Sequence, residues 1–522
     1  MLGAFAPAVT SDFVNYDDDK HLTGNARMNP PTLANAAKYW TDARGFFGLY
    51  IPVTYTAWTL VAQLAYRPAT SSSPASLNPD VFHIANLLLH ACSSSVVFLI
   101  LRTLLSRSAR SDIAAALGAL LFALHPVQVE PVVWASGFRD VFGGLLALLT
   151  VLQYVRYLQA AAPAARRKHY GLALSIFVLA LLAKPTAVVV PIILAILDAF
   201  LIRRSARQLA RSLLPMLLLA IAAAGLARFT QPSTLLTDPA PLHWRPIVAS
   251  DAIAFYLFKL IWPVSLGADY GRTPRFAVQH GHAALTWLAP AALLAVAVLL
   301  RRRLPMLVVG LLIFLTGLLP VLGMITFDFQ EISTVADRYL YLPMLGVALA
   351  VAGLLLRSPS RTVWAAASVL LLALAARTFA QARTWHDTHS LFTHALRVNP
   401  RSWLAYTNLG VAETDPRVAE KLLRRAIELK PDYADAHIDL GTVLAEQKRV
   451  PEAAHEFEIA AKLRPDIADA HANLGLAYSE LGRIDEAIAE YEKIPRDDRA
   501  RRMLPRLRAL RLPPATVPSS AP

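Results

Sequence analysis

Residues 81–101 read VFHIANLLLHACSSSVVFLIL, a run in which apolar side chains dominate. A helix of roughly 20 such residues is long enough to cross the ~30 Å hydrocarbon core of a bilayer. Similar runs recur over most of the chain, and 55% of its 522 residues are hydrophobic. The sequence therefore predicts an all-α protein whose larger part is a polytopic membrane domain.

The other apolar runs set the boundaries of this domain. Runs that are long enough to span, or nearly so, occur at about 113–133, 139–159, 171–183, 186–202, 211–228, 285–300, 304–322, 339–356 and 362–380. Together with 81–101 they predict about ten spans over residues 81–380. Residues 1–80 form an outer loop, in which the polar-interrupted run at 50–66 predicts an interfacial helix. Residues 1–10 are too short to span and resemble the last turns of a first span that the sequence lacks.

The distribution of arginine predicts the orientation. Arginine outnumbers lysine 41 to 10, which suggests a GC-rich bacterial genome, and the formal charge is +14. Arginine-rich loops, which are cytoplasmic under the positive-inside rule, alternate with arginine-poor ones. This accounts for the charge without nucleic acid as a partner, since no basic surface is interleaved with aromatics. The outer loop and everything after about residue 381 then face the extracytoplasmic side of a bacterial inner membrane.

The C-terminal region, residues 385–494, has a 34-residue repeat. Its middle copy matches the tetratricopeptide pattern at Leu440, Gly441, Leu444, Ala453, Phe457, Ala460 and Pro465. Neighbouring copies have Leu474–Gly475 and Leu409–Gly410 at the equivalent positions. The pattern predicts an α-solenoid with a concave surface that binds extended peptides. The basic, Pro-containing residues 495–522 predict a disordered tail, for which contact with membrane lipids is an alternative.

Polar residues collect at the outward ends of the predicted spans. Three of them, Asp17, Asp18 and Asp19, form an acidic cluster in the outer loop, and carboxylates beside a bilayer point to function. The others are His83, His90, His125, Glu130, Arg139, Asp140, Lys184, Arg338 and Tyr341. Taken singly, each has a structural explanation: a buried histidine, a loop ion pair or a snorkelling lysine. Taken together, a general base and cations that hold phosphate suit glycosyl transfer from a lipid-phosphate donor.

The order of these motifs resembles a known family. The segments Phe13–Asp18, Phe82–His90, His125–Glu130, Gly137–Asp140, Lys184–Pro185 and Arg338–Pro343 precede the repeats, as in the TMTC-type O-mannosyltransferases. The resemblance implies a GT-C-like membrane glycosyltransferase that transfers a mannose-like sugar from a polyprenyl-phosphate donor to Ser or Thr of a protein recruited by the repeats.

The same resemblance assigns roles to residues. It makes Asp17 or Asp18 the base, places the donor phosphate at Arg139, Lys184 and Arg338, and leaves supporting roles for His83, His90, His125, Glu130, Asp140 and Tyr341. Pro185 stands where many relatives have an acidic residue, which leaves the role of Lys184 open.

Other interpretations remain open on the sequence. The acceptor is a protein, or instead an envelope polysaccharide or lipid, and a repeat-bearing scaffold without catalysis is a further alternative. A transporter fits less well, because transporters carry their polar residues near mid-span. Cys92 is the only cysteine, which excludes a disulfide framework. We expect no metal, although Asp17 and Asp18 offer oxygen ligands to a divalent cation.

Overall fold

A computed structural model describes residues 1–42, 45–71, 73–105, 108–202, 204–230, 240–280 and 283–511. The chain divides into two compact units, Met1–His394 and Ala395–Pro522. The first, the membrane unit, contains the outer loop and the spans, and the second contains the repeats. The boundary between the units follows His394, whereas the repeat pattern predicts that the repeat region begins at residue 385. Residues 385–394 therefore belong to the membrane unit.

In its described residues the membrane unit consists of helices and connecting loops, with one short antiparallel hairpin, β1 (Tyr66–Arg67) with β2 (Ser76–Leu77). Its α-helices are α1 (Leu33–Thr41), α2 (Pro52–Ala65), α3 (Pro79–Leu104), α4 (Ala109–Leu124), α5 (Val129–Val133), α6 (Phe138–Gln159), α7 (Pro163–Ala183), α8 (Val190–Leu197), α9 (Ala206–Thr230), α10 (Arg245–Ile261), α11 (Pro274–Gln279), α12 (Ala283–Thr286), α13 (Leu288–Leu300), α14 (Pro305–Leu318), α15 (Met344–Arg357), α16 (Arg361–Ala382) and α17 (Thr388–Val398). Short 3₁₀ or π-helical segments lie between them, including Leu2–Thr10, Asp19–Thr23, Pro126–Gln128, Ala135–Gly137, Pro185–Val189, Asp198–Ile202, Asp337–Leu340 and Arg383–Trp385.

The described residues contain five helices that are long and apolar enough to cross a membrane: Pro79–Leu104, Ala135–Gln159, Pro185–Ile202, Ala206–Thr230 and Arg361–Trp385. A sixth is obtained if the bent pair Ala109–Leu124 and Pro126–Val133 counts as one span. Three predicted spans form shorter apolar helices, Leu288–Leu300, Pro305–Val321 and Met344–Arg357. The chain is thus a multi-pass membrane protein with fewer full-length spans in the described part than the ten predicted.

One break in the helices positions much of the site. Helix α4 ends at Leu124, because Pro126 lacks an N–H and disfavours helical backbone in the residue before it, His125. The chain bends by 53° at this point. It continues through α5 and the 3₁₀ turn Ala135–Gly137 into α6. Glu130 therefore lies on the short helix α5, and Arg139 and Asp140 lie in the first turn of α6.

The repeat unit is a series of helix pairs with a shared apolar core. Its helices are α18 (Trp403–Ala412), α19 (Pro416–Leu429), α20 (Ala434–Glu446), α21 (Val450–Leu463), α22 (Ala468–Glu480), α23 (Ile484–Glu492) and α24 (Asp498–Arg511). The core contains the small and apolar residues of the repeat pattern, among them Leu440, Phe457 and Tyr491. The predicted α-solenoid is therefore present in the structure.

The predicted disordered tail is partly wrong. Residues Asp498–Arg511 form α24, in which Ala500 and Leu507 are buried in the repeat core. Met503 and Leu504 pack against the same core, which gives α24 one apolar face at helical spacing. Burial of this face explains why an arginine-rich segment is ordered. Residues 512–522 of the predicted tail lie outside the described residues.

Candidate active site

The acidic loop, residues 12–18, contains two neighbouring carboxylates in different environments. Asp17 has a left-handed backbone with φ of 72°. Its side chain is 38% exposed, and its Oδ2 lies 3.3 Å from Nη2 of Arg139. Burial is the largest single effect and raises the pKa of Asp17, but Arg139 and the other positively charged groups nearby together outweigh it, so the pKa is lowered. Asp17 is therefore an ionised carboxylate with access to solvent.

Asp18, in contrast, is completely buried. Its Oδ2 accepts a hydrogen bond from the backbone N–H of Val14 at 3.0 Å, and its Oδ1 accepts one from Ser136 N–H at 2.9 Å. Burial raises the pKa of this carboxyl group to about 7, despite the hydrogen bonds, which lower it. Asp18 thus ties the acidic loop to the turn that precedes α6. The third aspartate, Asp19, begins the π-helical segment Asp19–Thr23.

The predicted phosphate-binding cations each contact a carboxylate. Arg139 reaches Asp17 and also lies 3.8 Å, Nε to Oδ2, from Asp140. On its other side Asp140 forms an ion pair with Lys184. Asp17, Arg139, Asp140 and Lys184 thus form a continuous series of alternating charges. This series connects the acidic loop to α6 and to the residue before the 3₁₀ segment Pro185–Val189.

A second ion pair lies beside this chain. Arg338 pairs with Glu130 through its guanidinium group, and its backbone N–H donates to Oε2 of Glu130 at 2.9 Å. The guanidinium group also lies 3.4 Å from the hydroxyl of Tyr16, next to Asp17 in the loop. The pair is buried, with 7% of the Arg338 side chain and 2% of that of Glu130 exposed. Glu130 therefore fixes the position of Arg338.

A cleft with an empty volume of about 460 Å³, including its open mouth, lies among these groups. Its polar lining comprises Asp140, Lys184, Thr186, Arg338, Tyr339 and Tyr341. Gly143 and Gly144 of α6 form part of one wall, where a Cβ atom would lie 2.7 Å from Lys184 and 2.4 Å from the ring of Tyr341. Only glycine allows both side chains to approach the helix this closely.

The three predicted histidines are buried outside the lining of this cleft. His90 hydrogen-bonds through Nδ1 to the Tyr341 hydroxyl at 3.0 Å and through Nε2 to a backbone carbonyl at 3.1 Å. Nε2 of His125 bonds to the carbonyl of Leu260 at 3.1 Å. His83 is only 1% exposed. His90 therefore supports Tyr341, and His125 fastens the bend after α4.

Sequence reasoning missed the aromatic residues between the charges. The ring centroid of Trp134 lies 4.9 Å from Cζ of Arg139 and 5.6 Å from Cζ of Arg338. The ring of Tyr16 packs on Trp134 at 5.0 Å. Cation–π contacts of this kind stabilise guanidinium groups that are withdrawn from water. The position of Trp134 between His125-Pro126 and Arg139-Asp140 was the available signal for it.

Several known proteins are similar to this chain in sequence. Protein O-mannosyl-transferase TMTC3 of Homo sapiens is 24% identical over 447 residues, which cover 76% of this chain and 48% of the relative. The chain is similar to protein O-mannosyl-transferases. Protein O-mannosyl-transferase F38B6.6 of Caenorhabditis elegans is 24% identical over 445 residues, or 81% of this chain and 60% of its own. The Drosophila melanogaster protein Tmtc3 is 34% identical over 135 residues, covering 24% of this chain and 14% of that relative.

Three further comparisons concern the length of the chain, its repeats and the solved structures. The chain spans about half the length of the TMTC3 relatives that it matches. A tetratricopeptide repeat family model matches residues 411–458 and 449–501, which confirms the predicted repeats. Among solved structures, that of MamA is 23% identical and covers 26% of this chain and 83% of its own, with a TM-score of 0.23.

Proposed function

We propose that this protein is a membrane glycosyltransferase of GT-C type that transfers a mannose-like sugar from a polyprenyl-phosphate donor to a Ser or Thr hydroxyl of a protein. The observation that carries the proposal is the partly exposed, ionised Asp17, which is linked through Arg139 and Asp140 to a cleft lined by Lys184 and Arg338. The names of the similar proteins support the same reaction class. The reaction takes place on the extracytoplasmic face, the side predicted from the arginine distribution.

Asp17 is the base in this proposal, and Asp18 is not. The carboxylate of Asp17 accepts the proton of the acceptor hydroxyl while the hydroxyl oxygen attacks the anomeric carbon. The bond between that carbon and the phosphate oxygen breaks, the polyprenyl phosphate leaves with the electron pair, and the configuration inverts. Both oxygens of Asp18 already accept buried backbone N–H groups, so this residue cannot reach an acceptor without unfolding the loop.

Lys184 and Arg338 are the residues proposed to bind the donor phosphate, because both line the cleft. Their charges stabilise the negative charge that grows on the leaving phosphate as the bond breaks. Arg139 faces Asp17, and its proposed role is therefore to keep the base ionised rather than to hold phosphate. The family resemblance assigns Arg139, Lys184 and Arg338 to the donor phosphate, whereas this proposal gives Arg139 a separate role.

The repeat unit is proposed to recruit the protein acceptor, since stacked repeats of this kind present a concave surface for extended peptides. The similar proteins are named protein O-mannosyl-transferases, which favours a protein over a polysaccharide or lipid acceptor.

The test is transfer by the purified chain in lipid nanodiscs, with polyprenyl-phosphate mannose and a peptide that contains Ser and Thr. Mass spectrometry should detect one added hexose on the peptide and none on the matched peptide in which Ser and Thr are replaced by Ala. Lys184→Gln should raise the donor KM. Absence of hexose transfer to the peptide, with transfer to isolated envelope glycolipid instead, would contradict the proposed acceptor.

A further inference from the structure

The acidic loop is held by residues that lie far away in the sequence. The backbone N–H of Asp12 donates to the carbonyl of His386 at 2.8 Å, and that of Asn15 donates to Oγ1 of Thr388 at 2.9 Å. Both acceptors follow the last span, in the stretch that the repeat pattern had assigned to the repeat domain. Here they belong to the membrane unit.

Aromatic packing adds to these hydrogen bonds. The ring of Tyr16, one residue before Asp17, packs edge-on against Trp385 at 6.2 Å and Phe392 at 6.1 Å between ring centroids. Trp385 is 2% exposed and Phe392 is fully buried. The loop is thus enclosed by residues 385–392 on one side and by Trp134 on the other.

Residues 385–392 are themselves firmly placed. Asp387 caps α17, since its Oδ1 accepts a hydrogen bond from Ser390 N–H at 2.7 Å. This cap fixes the first turn of the helix, which includes Thr388. Two residues after Phe392, Nε2 of His394 bonds to the carbonyl of Leu266 at 2.7 Å. The segment therefore offers a rigid support to the acidic loop.

The backbone of Asp17 requires such a support. A left-handed conformation is less favourable for aspartate than for glycine, and it persists where its surroundings determine it from both sides. Asp18 fixes the loop through Ser136 and Val14, whereas Asn15 and Tyr16, directly before Asp17, are held by residues 385–392. Loss of the contacts before Asp17 leaves its carboxylate free to turn away from Arg139.

We propose that residues 385–392 position the base: Thr388 and Phe392 are positioning residues that hold the Asp17 carboxylate through Asn15 and Tyr16. This inference rests on the proposed function, because it takes Asp17 to be the base. It extends the catalytic geometry beyond the spans to the segment that leads into the repeats. It also predicts that a deletion that begins at residue 385 removes part of the catalytic apparatus, whereas one that begins at residue 399 does not.

The test compares Thr388→Val, which keeps the side-chain shape but removes the acceptor oxygen, with Thr388→Ser, which keeps that oxygen. Hydrogen exchange of the full-length protein in nanodiscs reports on the Asn15 amide, and peptide mannosylation reports on kcat and KM. We expect Thr388→Val to accelerate exchange of that amide about tenfold, the effect of one lost hydrogen bond. We expect kcat to fall about tenfold with donor KM unchanged, since small misplacements of a reacting group are costly.

The controls separate this proposal from the proposed function. Thr388→Ser should restore both values, and Phe392→Leu should reproduce the effect of Thr388→Val. Thr103→Val removes a hydroxyl that bonds within its own helix, α3, to the carbonyl of Leu99, and should change neither value. Unchanged exchange at Asn15 in Thr388→Val overturns the proposal, and so does faster exchange with unchanged kcat. Full transfer by Asp17→Asn would overturn the proposed base instead, whatever the exchange result.

Discussion

Asparagine substitutions at Asp17 and Asp18 should have opposite effects on activity and stability. Asp17→Asn removes the charge but keeps a residue that tolerates a left-handed backbone, so the substitution adds no strain of its own. In Asp18→Asn one carboxylate oxygen becomes an NH₂ group. That group then faces a backbone N–H, of Val14 or of Ser136, which loses its acceptor in a buried position.

The geometry sets the size of both effects. Asp17 loses one partly exposed ion pair with Arg139, which is worth about 0.2–1 kcal/mol, so stability should change little. Removal of a general base should lower kcat by about 10²–10⁴. Asp18→Asn leaves a buried donor unsatisfied, at a cost of about 1–3 kcal/mol. The kcat of Asp18→Asn should fall by a smaller factor, because this substitution affects the reaction only through the displacement of Asp17 in a loosened loop.

Two assays on the same purified samples measure these effects: peptide mannosylation for kcat, and thermal unfolding followed by tryptophan fluorescence for stability. The expected results are an inactive Asp17→Asn protein that melts like the wild type and a less stable Asp18→Asn protein that retains activity at low temperature. The reverse result, an active Asp17→Asn and an inactive but equally stable Asp18→Asn, would refute the division of roles.

Three further predictions concern the surroundings of the base, the cleft wall and the repeats. Arg139→Gln should shift the acidic limb of the pH–rate profile to higher pH, because the cation that lowers the pKa of the proposed base is lost while its burial remains. Gly144→Ala should lower both activity and melting temperature, since the new Cβ would lie 2.4 Å from the tyrosine ring in the cleft; Gly171→Ala, with no atom within 4 Å, is the matched control. In the repeats, both ring nitrogens of His437 face oxygen acceptors, the Glu456 carboxylate and a backbone carbonyl. Burial lowers the pKa of His437, but these two acceptors raise it by more, so the pKa in the folded protein lies above its usual value. The protonated side chain of His437 therefore stabilises the fold fully at pH values below about 6.5, the pKa of histidine in the unfolded chain. This stabilisation is lost as the pH rises through the higher pKa that His437 has in the folded protein.

The last prediction is checked by hydrogen exchange in α20 and α21 of the full-length protein as a function of pH. Protection should decrease from mildly acidic to mildly alkaline pH, and His437→Gln should abolish this dependence. His455 is exposed, so His455→Gln should leave the pH dependence intact. Protection that increases with pH in the wild type would contradict the proposed ionisation of His437.

Features that depend on local periodicity were predictable from the sequence. The run at 81–101 forms α3, and the 34-residue pattern around Leu440 forms paired helices, because hydrophobic spacing alone specifies both. The apolar face of α24 is also visible as helical spacing, between Ala500 and Leu507, but the many arginines around them make the segment's composition typical of a disordered tail. Composition alone therefore gave the wrong result for that segment.

The division of roles within the site was not predictable in this way. Asp17 and Asp18 are adjacent and chemically identical, and their environments differ because Ser136 binds Asp18 and Arg139 pairs with Asp17. Both partners lie more than a hundred residues away in the sequence, and their approach depends on the bend after α4. The contact between Thr388 and the acidic loop is equally non-local, so the repeat pattern placed Thr388 in the wrong unit.

The central claim, Asp17-dependent glycosylation of proteins, is tested most directly by the intact masses of envelope proteins. The measurement compares cells that carry the wild-type gene with cells that carry only Asp17→Asn, expressed at the same level. We predict that hexose-sized mass increments on a subset of envelope proteins disappear in the Asp17→Asn cells and return with the wild-type gene. Identical mass profiles in the two strains would contradict the account.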